Sequence, residues 1–255
     1  MSFKSYRGYY IFMNSVCRQQ RYIMNEESIA FLESIIETCH HRVKVLESGT
    51  WVWRAQIGSD FRPIYQTDPE TDEDIHVDDA PIPFSAKRMK PLPDSASEGR
   101  ANPKGIPCLY VATDKETAMS EVRPWLNATI SVGRFRVARD LKILDFSVAQ
   151  EKRKFHIYLS EPNLEKRIEA VWSDIDKAFS RPTKNSDIKS DYAPTQIISE
   201  FVKSKGYDGI AYKSSFSKGH NIALFDLNSA TMFDCKLYEA SEINFNFNEI
   251  HDFGF

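Results

Sequence analysis

The sequence predicts an α+β fold, and three observations lead to that class. Short apolar segments such as "TWVWRAQIG", "PCLYVAT" and "HNIALFD" have the length and composition of strands. Other segments carry apolar residues at helical spacing, and the two kinds follow one another without regular βαβ alternation, which disfavours a doubly wound sheet. With 255 residues, of which 42% are hydrophobic, the chain is long enough to bury a sizeable core.

The N-terminal part of the chain predicts a helical extension. Asn25 can cap a helix that runs through "NEESIAFLESIIETCHHRVKVL", and Gly49 is placed to end it. The apolar stripe of this predicted helix comprises Ile29, Leu32, Ile36, Val43 and Leu46. We therefore expect residues 1–48 to form a helical extension and residues 49–255 to form the main domain.

Residues 59–97 differ from their surroundings in composition. They are rich in Pro and Asp and include "DPETDEDIHVDDAP". Such a composition predicts a long, partly flexible surface loop, inserted into the main domain. The acidic run favours a solvated surface, and an interaction tail or a lid is the alternative.

Helices are expected at three places in the main domain. After the strand "PCLYVAT", Thr113 and Glu116 fit a capping box, and Pro124 should end the helix that follows. Two further helices are expected, one carrying Leu164, Ile168, Val171, Trp172, Ile175 and Phe179 at helical spacing and one running from Pro194 to Gly206.

Composition and missing motifs exclude several classes of function. The formal net charge is -3, which gives no electrostatic case for nucleic acid or an anionic membrane as a partner. No apolar run reaches the length of a membrane helix, and no secretory signal is recognised, so a cytoplasmic protein is the expectation. The four cysteines form no Cys-x-x-Cys pair, and the six histidines form no ligand-spaced cluster, so no metal is expected. Dinucleotide-binding glycines, a Walker loop and a G-x-S-x-G elbow are all missing.

The stretch "GRANPKGIPCLYVATDKETAMSEV" concentrates the chemistry of the chain, because Arg100, Tyr110 and Glu121 occur in one strand–helix unit. The plain interpretation is a strand packed on a helix with a surface glutamate. The sharper hypothesis is a pocket in which the arginine binds an anion, the aromatic ring orients a ligand, and the carboxylate stabilises a developing positive charge. Arg54 lies inside an apolar strand and needs a partner, either a ligand phosphate or an internal carboxylate such as Glu121.

Several blocks of the chain resemble the RES domain family in their order and approximate spacing. They are "WRAQIG", "GRANPKGIPCLYVATDKETAMSEV", "YAPTQIISEFVKSKGYDGIAYKSS" and "GHNIALF", and together they cover roughly residues 51–235. The resemblance implies a fold similar to ADP-ribosyltransferase toxins, with mixed or antiparallel sheets and flanking helices. It also implies the toxin of a bacterial toxin–antitoxin pair, an enzyme that degrades NAD+ by cutting the nicotinamide–ribose bond with phosphate or water as acceptor.

Site residues follow from the same resemblance, position by position. It implies that Glu121, Arg100 and Tyr110 are catalytic. The expected NAD+-binding residues are Arg54, Tyr192, Ser214 and Asn221, and Ser215 remains the alternative to Ser214. Ala101 departs from the family pattern, in which many members carry an aromatic residue, and this difference bears on the pocket wall.

The resemblance also implies the ligands and partners. NAD+ is a substrate rather than a resident cofactor, and phosphate is a candidate co-substrate. Besides NAD+, a cognate antitoxin is an expected partner, and a homodimer is left open. Two alternative functions remain at this point: an ADP-ribosyltransferase that modifies a protein or nucleic acid, and a catalytically inert binding module.

Overall fold

One eight-stranded sheet organises the chain in its computed structural model, which describes residues 2–147, 158–181 and 189–244. The strands are β1 (Val43–Leu46), β2 (Trp51–Ile57), β3 (Asp60–Thr67), β4 (Asp74–Ile82), β5 (Leu109–Ala112), β6 (Thr129–Val137), β7 (Leu141–Asp145), β8 (Gly209–Lys213), β9 (His220–Leu224) and β10 (Ala230–Glu239). The order in the large sheet is β1-β7-β8-β9-β5-β2-β6-β10, with β7 and β8 parallel and the other neighbours antiparallel. The expectation of an α+β fold is confirmed.

Helices flank this sheet. They are α1 (Gly8–Arg18), α2 (Glu26–Thr38), α3 (Lys115–Glu121), α4 (Leu164–Ser180) and α5 (Ala193–Ser204), with 3-10 turns at His40–Arg42 and Lys189–Tyr192. The largest core cluster joins apolar side chains of α1, α2, α4 and α5 to those of β7, β8 and β9. The expected α4 and α5 are confirmed, α4 with Asn163 as its N-cap and α5 with Gly206 in the left-handed region beyond its end.

The expected long helix from Asn25 to Leu46 is wrong beyond Thr38. α2 buries Phe31, Leu32 and Ile35, whereas Ile29 is 45% exposed. Leu32 of the expected stripe is buried, as is Ile35 beside it, so the buried face departs from the expectation at Ile29. Because the stripe was extended through residues 43–46, the β-branched valines there were assigned to a helix, although they form a strand.

β1 makes the N-terminal segment part of the main fold. It pairs antiparallel with β7, from Val43 opposite Leu144 to Leu46 opposite Leu141. Just before it, the guanidinium of Arg42 is buried 4.3 Å above the Trp172 ring. The expectation of a purely helical extension over residues 1–48 is therefore wrong, since this segment contributes an edge strand and core side chains to the sheet.

Within residues 59–97, the expected long loop is wrong for the part that forms β3 and β4. These strands pair as a separate two-stranded antiparallel sheet. Alternating Ile, Tyr and Val residues favour the strands, and a two-stranded ribbon tolerates Pro63 and Pro81 because each strand has a free edge. Acidic side chains from Glu70 to Asp79 are exposed, as expected of a solvated run.

The N-cap of α3 is Asp114 rather than Thr113. Its Oδ1 accepts a hydrogen bond of 2.7 Å from the Thr117 backbone amide, and its Oδ2 accepts one of 2.9 Å from the Thr117 hydroxyl. The helix ends at Glu121, three residues before Pro124. Glu121 is thus the last helical residue, at the C-terminal end of a short helix that packs on β2.

Gly219 lets the turn before β9 approach the start of α3. A Cβ at this position would lie 2.0 Å from Asp114 Oδ2 and 2.3 Å from Thr117 Oγ1. We expect Gly219→Ala to displace the cap and lower stability by about 1–3 kcal/mol, measured by thermal unfolding. An unchanged melting temperature would show that the turn relaxes freely and that the close contact does not matter.

Candidate functional site

The carboxylate of Glu121 is held by two neutral donors. Its Oε1 accepts a hydrogen bond of 2.6 Å from Ser214 Oγ and one of 2.7 Å from Asn221 Nδ2. Ser214 and Asn221 are both buried. Ser214 directly follows β8, and Asn221 is the second residue of β9. Among the described residues, no basic side chain forms an ion pair with this carboxylate. The negative charge is therefore oriented without being neutralised.

Ser214, and not Ser215, is the serine at this carboxylate. The Ser214 hydroxyl oxygen accepts hydrogen bonds from the backbone amides of Phe216 and Ser217, at 3.1 and 3.2 Å. Since two donors already point at this oxygen, its proton is directed to Glu121. Ser215 instead donates to the Ser180 carbonyl at the end of α4.

Because Ser214 and Ser215 have different hydrogen-bond partners, their alanine variants should have different effects. We expect Ser214→Ala to lower the rate of the reaction proposed below by about tenfold, because the carboxylate loses one of its two orienting donors. Ser215→Ala should instead lower stability by about 1 kcal/mol and leave the rate within about twofold. Parallel kinetics and thermal unfolding check this, and the reverse pattern would move the site to Ser215.

Arg54 is a partly buried cation without a carboxylate partner among the described residues. Its Nη1 donates a hydrogen bond of 3.0 Å to the Tyr110 carbonyl, and its Nε is buried with no partner. Burial lowers the pKa of the guanidinium. Among the residues that the structure describes, no carboxylate pairs with Arg54, so the internal pairing with Glu121 is not found. A buried charge of this kind favours binding of an anion.

Tyr110 uses its hydroxyl to hold the preceding loop. The hydroxyl donates to Asn102 Oδ1 at 2.7 Å and accepts from the Ala101 amide at 2.9 Å. Burial raises the pKa of this phenol well above its usual value, so it is neutral. Because both hydrogen-bonding roles of the hydroxyl are taken within the loop, what Tyr110 offers a ligand is its ring.

Sequence reasoning missed Asn102, which organises the same loop. It is almost fully buried, and its Nδ2 donates to three backbone carbonyls, those of Ser97, Pro103 and Ile106. The only signal in the sequence was the Asn-Pro pair, which marks a turn but not its hydrogen bonds.

Arg100 binds the end of α4 rather than an open cavity. Its Nη1 donates to the carbonyls of Ala178 and Phe179, at 3.3 and 2.6 Å, and its Nη2 donates to the Arg181 carbonyl. A cation at this position satisfies free carbonyls and complements the helix dipole. Arg100 is thus a positioning residue in this structure, and its expected catalytic role stays a prediction.

Tyr192 lies at the start of α5 and lines neither of the two cavities described below. Its carbonyl accepts a hydrogen bond of 3.0 Å from Thr195 Oγ1, and its side chain is half-buried. In this structure Tyr192 therefore contributes to the start of the helix, and its contact with NAD+ stays a prediction.

Two adjacent cavities meet at Arg54. The first has a volume of about 460 Å³ and is lined by Glu121, Asn221 and Trp53 among others. The second has a volume of about 680 Å³ and lies beneath the segment after β4. Arg54, Gln56 and Tyr110 line both cavities. The sequence did not indicate Trp53 and Gln56 as site residues, since strand neighbours of a charged residue give no functional signal of their own.

No group of three or more His, Cys, Asp or Glu side chains in residues 2–147, 158–181 and 189–244 is arranged to hold a metal ion. In the same part of the chain, no helix combines the length and the apolar character needed to cross a membrane.

The family model of the RES domain matches residues 75–248, which include Arg100, Tyr110, Glu121, Ser214 and Asn221 but not Trp53, Arg54 or Gln56. A solved structure, the M. tuberculosis MbcT-MbcA toxin–antitoxin complex, is similar at 14% identity, with 80% of this chain and 91% of that chain covered and a TM-score of 0.40. No curated protein matches the sequence.

Proposed function

Because the chain belongs to the RES domain family, we propose that it is the toxin enzyme of a toxin–antitoxin pair and that it cleaves the nicotinamide–ribose bond of NAD+. The observation that carries the proposal is the Glu121 carboxylate, oriented by Ser214 and Asn221 and left without a counter-ion. NAD+ as substrate places the proposed activity in the cytoplasm, where a cognate antitoxin would restrain it.

The proposed reaction breaks the bond between ribose C1′ and the nicotinamide nitrogen. Nicotinamide leaves with the bonding electron pair and becomes neutral, so it needs no proton from a general acid. Positive charge develops on the ribose, as in glycoside hydrolysis, and the Glu121 carboxylate stabilises it. Water or phosphate then adds its oxygen to C1′, and with water a proton is released.

The two cavities support a path for the dinucleotide. With the nicotinamide ribose beside Glu121, the pyrophosphate comes to Arg54, whose buried charge lacks a carboxylate partner. A guanidinium binds phosphate oxygens in pairs, which suits this position. The rings of Trp53 and Tyr110 line the cavity of Glu121 and are available to pack against the ligand.

Purified protein incubated with NAD+, with and without phosphate, tests the proposal when the products are resolved by mass. Free nicotinamide with ADP-ribose identifies water as the acceptor, and phosphorylated ADP-ribose identifies phosphate. A mass increase of ADP-ribose on an added protein or nucleic acid would replace the proposal with a transferase. Absence of any turnover would contradict it and favour the inert binding module.

A further inference from the structure

We propose that the larger cavity recognises a phosphate on the adenosine 2′ position, so that NADP+ is the preferred dinucleotide. The inference rests on the proposed function and names its substrate class. Four basic residues and one acidic residue line this cavity: Arg54, Lys87, Arg88, Lys90 and Glu98. A pyrophosphate at Arg54 would leave the charges of Lys87 and Lys90 without an anionic partner among the described residues.

The cations are carried by a segment that the core holds in place. Phe84 and Met89 are almost fully buried, at 3% and 0% exposure, and both pack in the cluster on β2 and β5. Between them the chain makes a turn, in which the amides of Arg88 and Met89 both donate to the Ser85 carbonyl, at 3.0 and 2.9 Å. The turn presents its basic residues from an anchored backbone, which lowers the entropic cost of binding an anion.

The three basic side chains of this segment differ in what holds them. Arg88 pairs with Asp60 at 2.9 Å, and its guanidinium lies 3.8 Å from the centre of the Phe84 ring. Lys90 donates a hydrogen bond of 2.7 Å to the Leu227 carbonyl, which leaves its charge unneutralised. Lys87 is exposed, and among the described residues no group pairs with it. Lys87 is therefore the cation most available to a ligand.

The position of Arg54 decides which end of the dinucleotide meets these cations. Arg54 lines both cavities, and Glu121 lines only the smaller one. When the nicotinamide ribose lies at Glu121 and the pyrophosphate at Arg54, the adenosine enters the larger cavity. Its 2′-hydroxyl is neutral and would gain little from lysines, whereas sites for the 2′-phosphate of NADP+ use a basic side chain.

Binding of adenosine 2′,5′-bisphosphate and of adenosine 5′-monophosphate, measured by calorimetry, tests the inference without turnover. We expect the bisphosphate to bind at least about tenfold more tightly, and Lys87→Gln to remove about fivefold to tenfold of that preference. Adenosine 5′-monophosphate should bind this variant as before. Lys166→Gln, which changes an exposed lysine of α4 outside both cavities, should change neither affinity.

Kinetics supply the second readout. We expect kcat/KM for NADP+ to exceed that for NAD+ by about tenfold, and Lys87→Gln to reduce only the value for NADP+. Equal binding of the two nucleotides, or NAD+ as the better substrate, would overturn the inference.

Titration with inorganic phosphate alone distinguishes a phosphate co-substrate from the 2′-phosphate of NADP+ as the ligand of these cations. If Lys87→Gln weakens its binding while the bisphosphate shows no preference, the cations serve a phosphate co-substrate and the inference fails. A chain that cleaves neither dinucleotide contradicts the proposed function, and the binding comparison still decides the inference.

Discussion

Glu121→Gln is expected to lower the rate of NAD+ cleavage by about a hundredfold or more. The amide keeps the size of the side chain and still accepts a hydrogen bond, but it lacks the negative charge that stabilises the developing ribose cation. The amide oxygen of the glutamine can still accept hydrogen bonds from Ser214 and Asn221, so the fold should be retained. Release of nicotinamide, followed by chromatography under substrate saturation, gives kcat directly.

Glu116→Gln is the matched control for this variant. Glu116 lies on the same helix, and its side chain is 63% exposed. The same chemical change there should leave kcat within about twofold. If Glu121→Gln retained full activity while NAD+ binding was unchanged, the carboxylate could not be the group that stabilises the transition state.

Arg54→Met is expected to weaken NAD+ binding by about a hundredfold or more without lowering the stability of the fold. Loss of a buried guanidinium that pairs with phosphate removes a charge-assisted contact in a desolvated site. The empty protein gains at the same time, because a partly buried cation whose Nε lacks a partner is removed and Met fills similar space. Calorimetric titration with NAD+ and thermal unfolding measure the two effects on the same samples.

A purely structural role for Arg54 would give the opposite pair of results. Stability would fall, and the affinity of the remaining folded protein would stay near that of the unchanged chain. Arg136→Gln provides the comparison, since Arg136 is an exposed arginine on the neighbouring strand β6 that lines neither cavity. We expect it to bind NAD+ as the unchanged chain does.

Local patterns predicted those parts of the fold that depend on neighbours in sequence. α4 has apolar residues at helical spacing and an asparagine cap, and both features act over a single turn. The same reasoning failed at residues 43–46, because four residues with two valines fit a helical stripe as well as a strand. Pairing with β7, about 100 positions away, decides that they form a strand.

The candidate site also has a part that the sequence predicted and a part that it did not. A resemblance of sequence blocks pointed to Glu121, Ser214 and Asn221, and the structure brings these three together. It also pointed to Arg100. In the structure, the guanidinium of Arg100 donates hydrogen bonds to carbonyls near the end of α4. No pattern in the sequence marks a free helix end as the partner of a distant arginine.

By itself, the sequence determined the α+β class, the helices α4 and α5, and which chemical groups are available for the proposed reaction. Tertiary structure alone decided the donors of the Glu121 carboxylate, the unpaired burial of Arg54 and the part of Arg100 in holding α4. The physical reason is distance along the chain: Ser214 and Asn221 are 93 and 100 positions from Glu121, and Phe179 is 79 positions from Arg100. Contacts over such separations arise from the packing of the sheet and its helices, which local propensities do not encode.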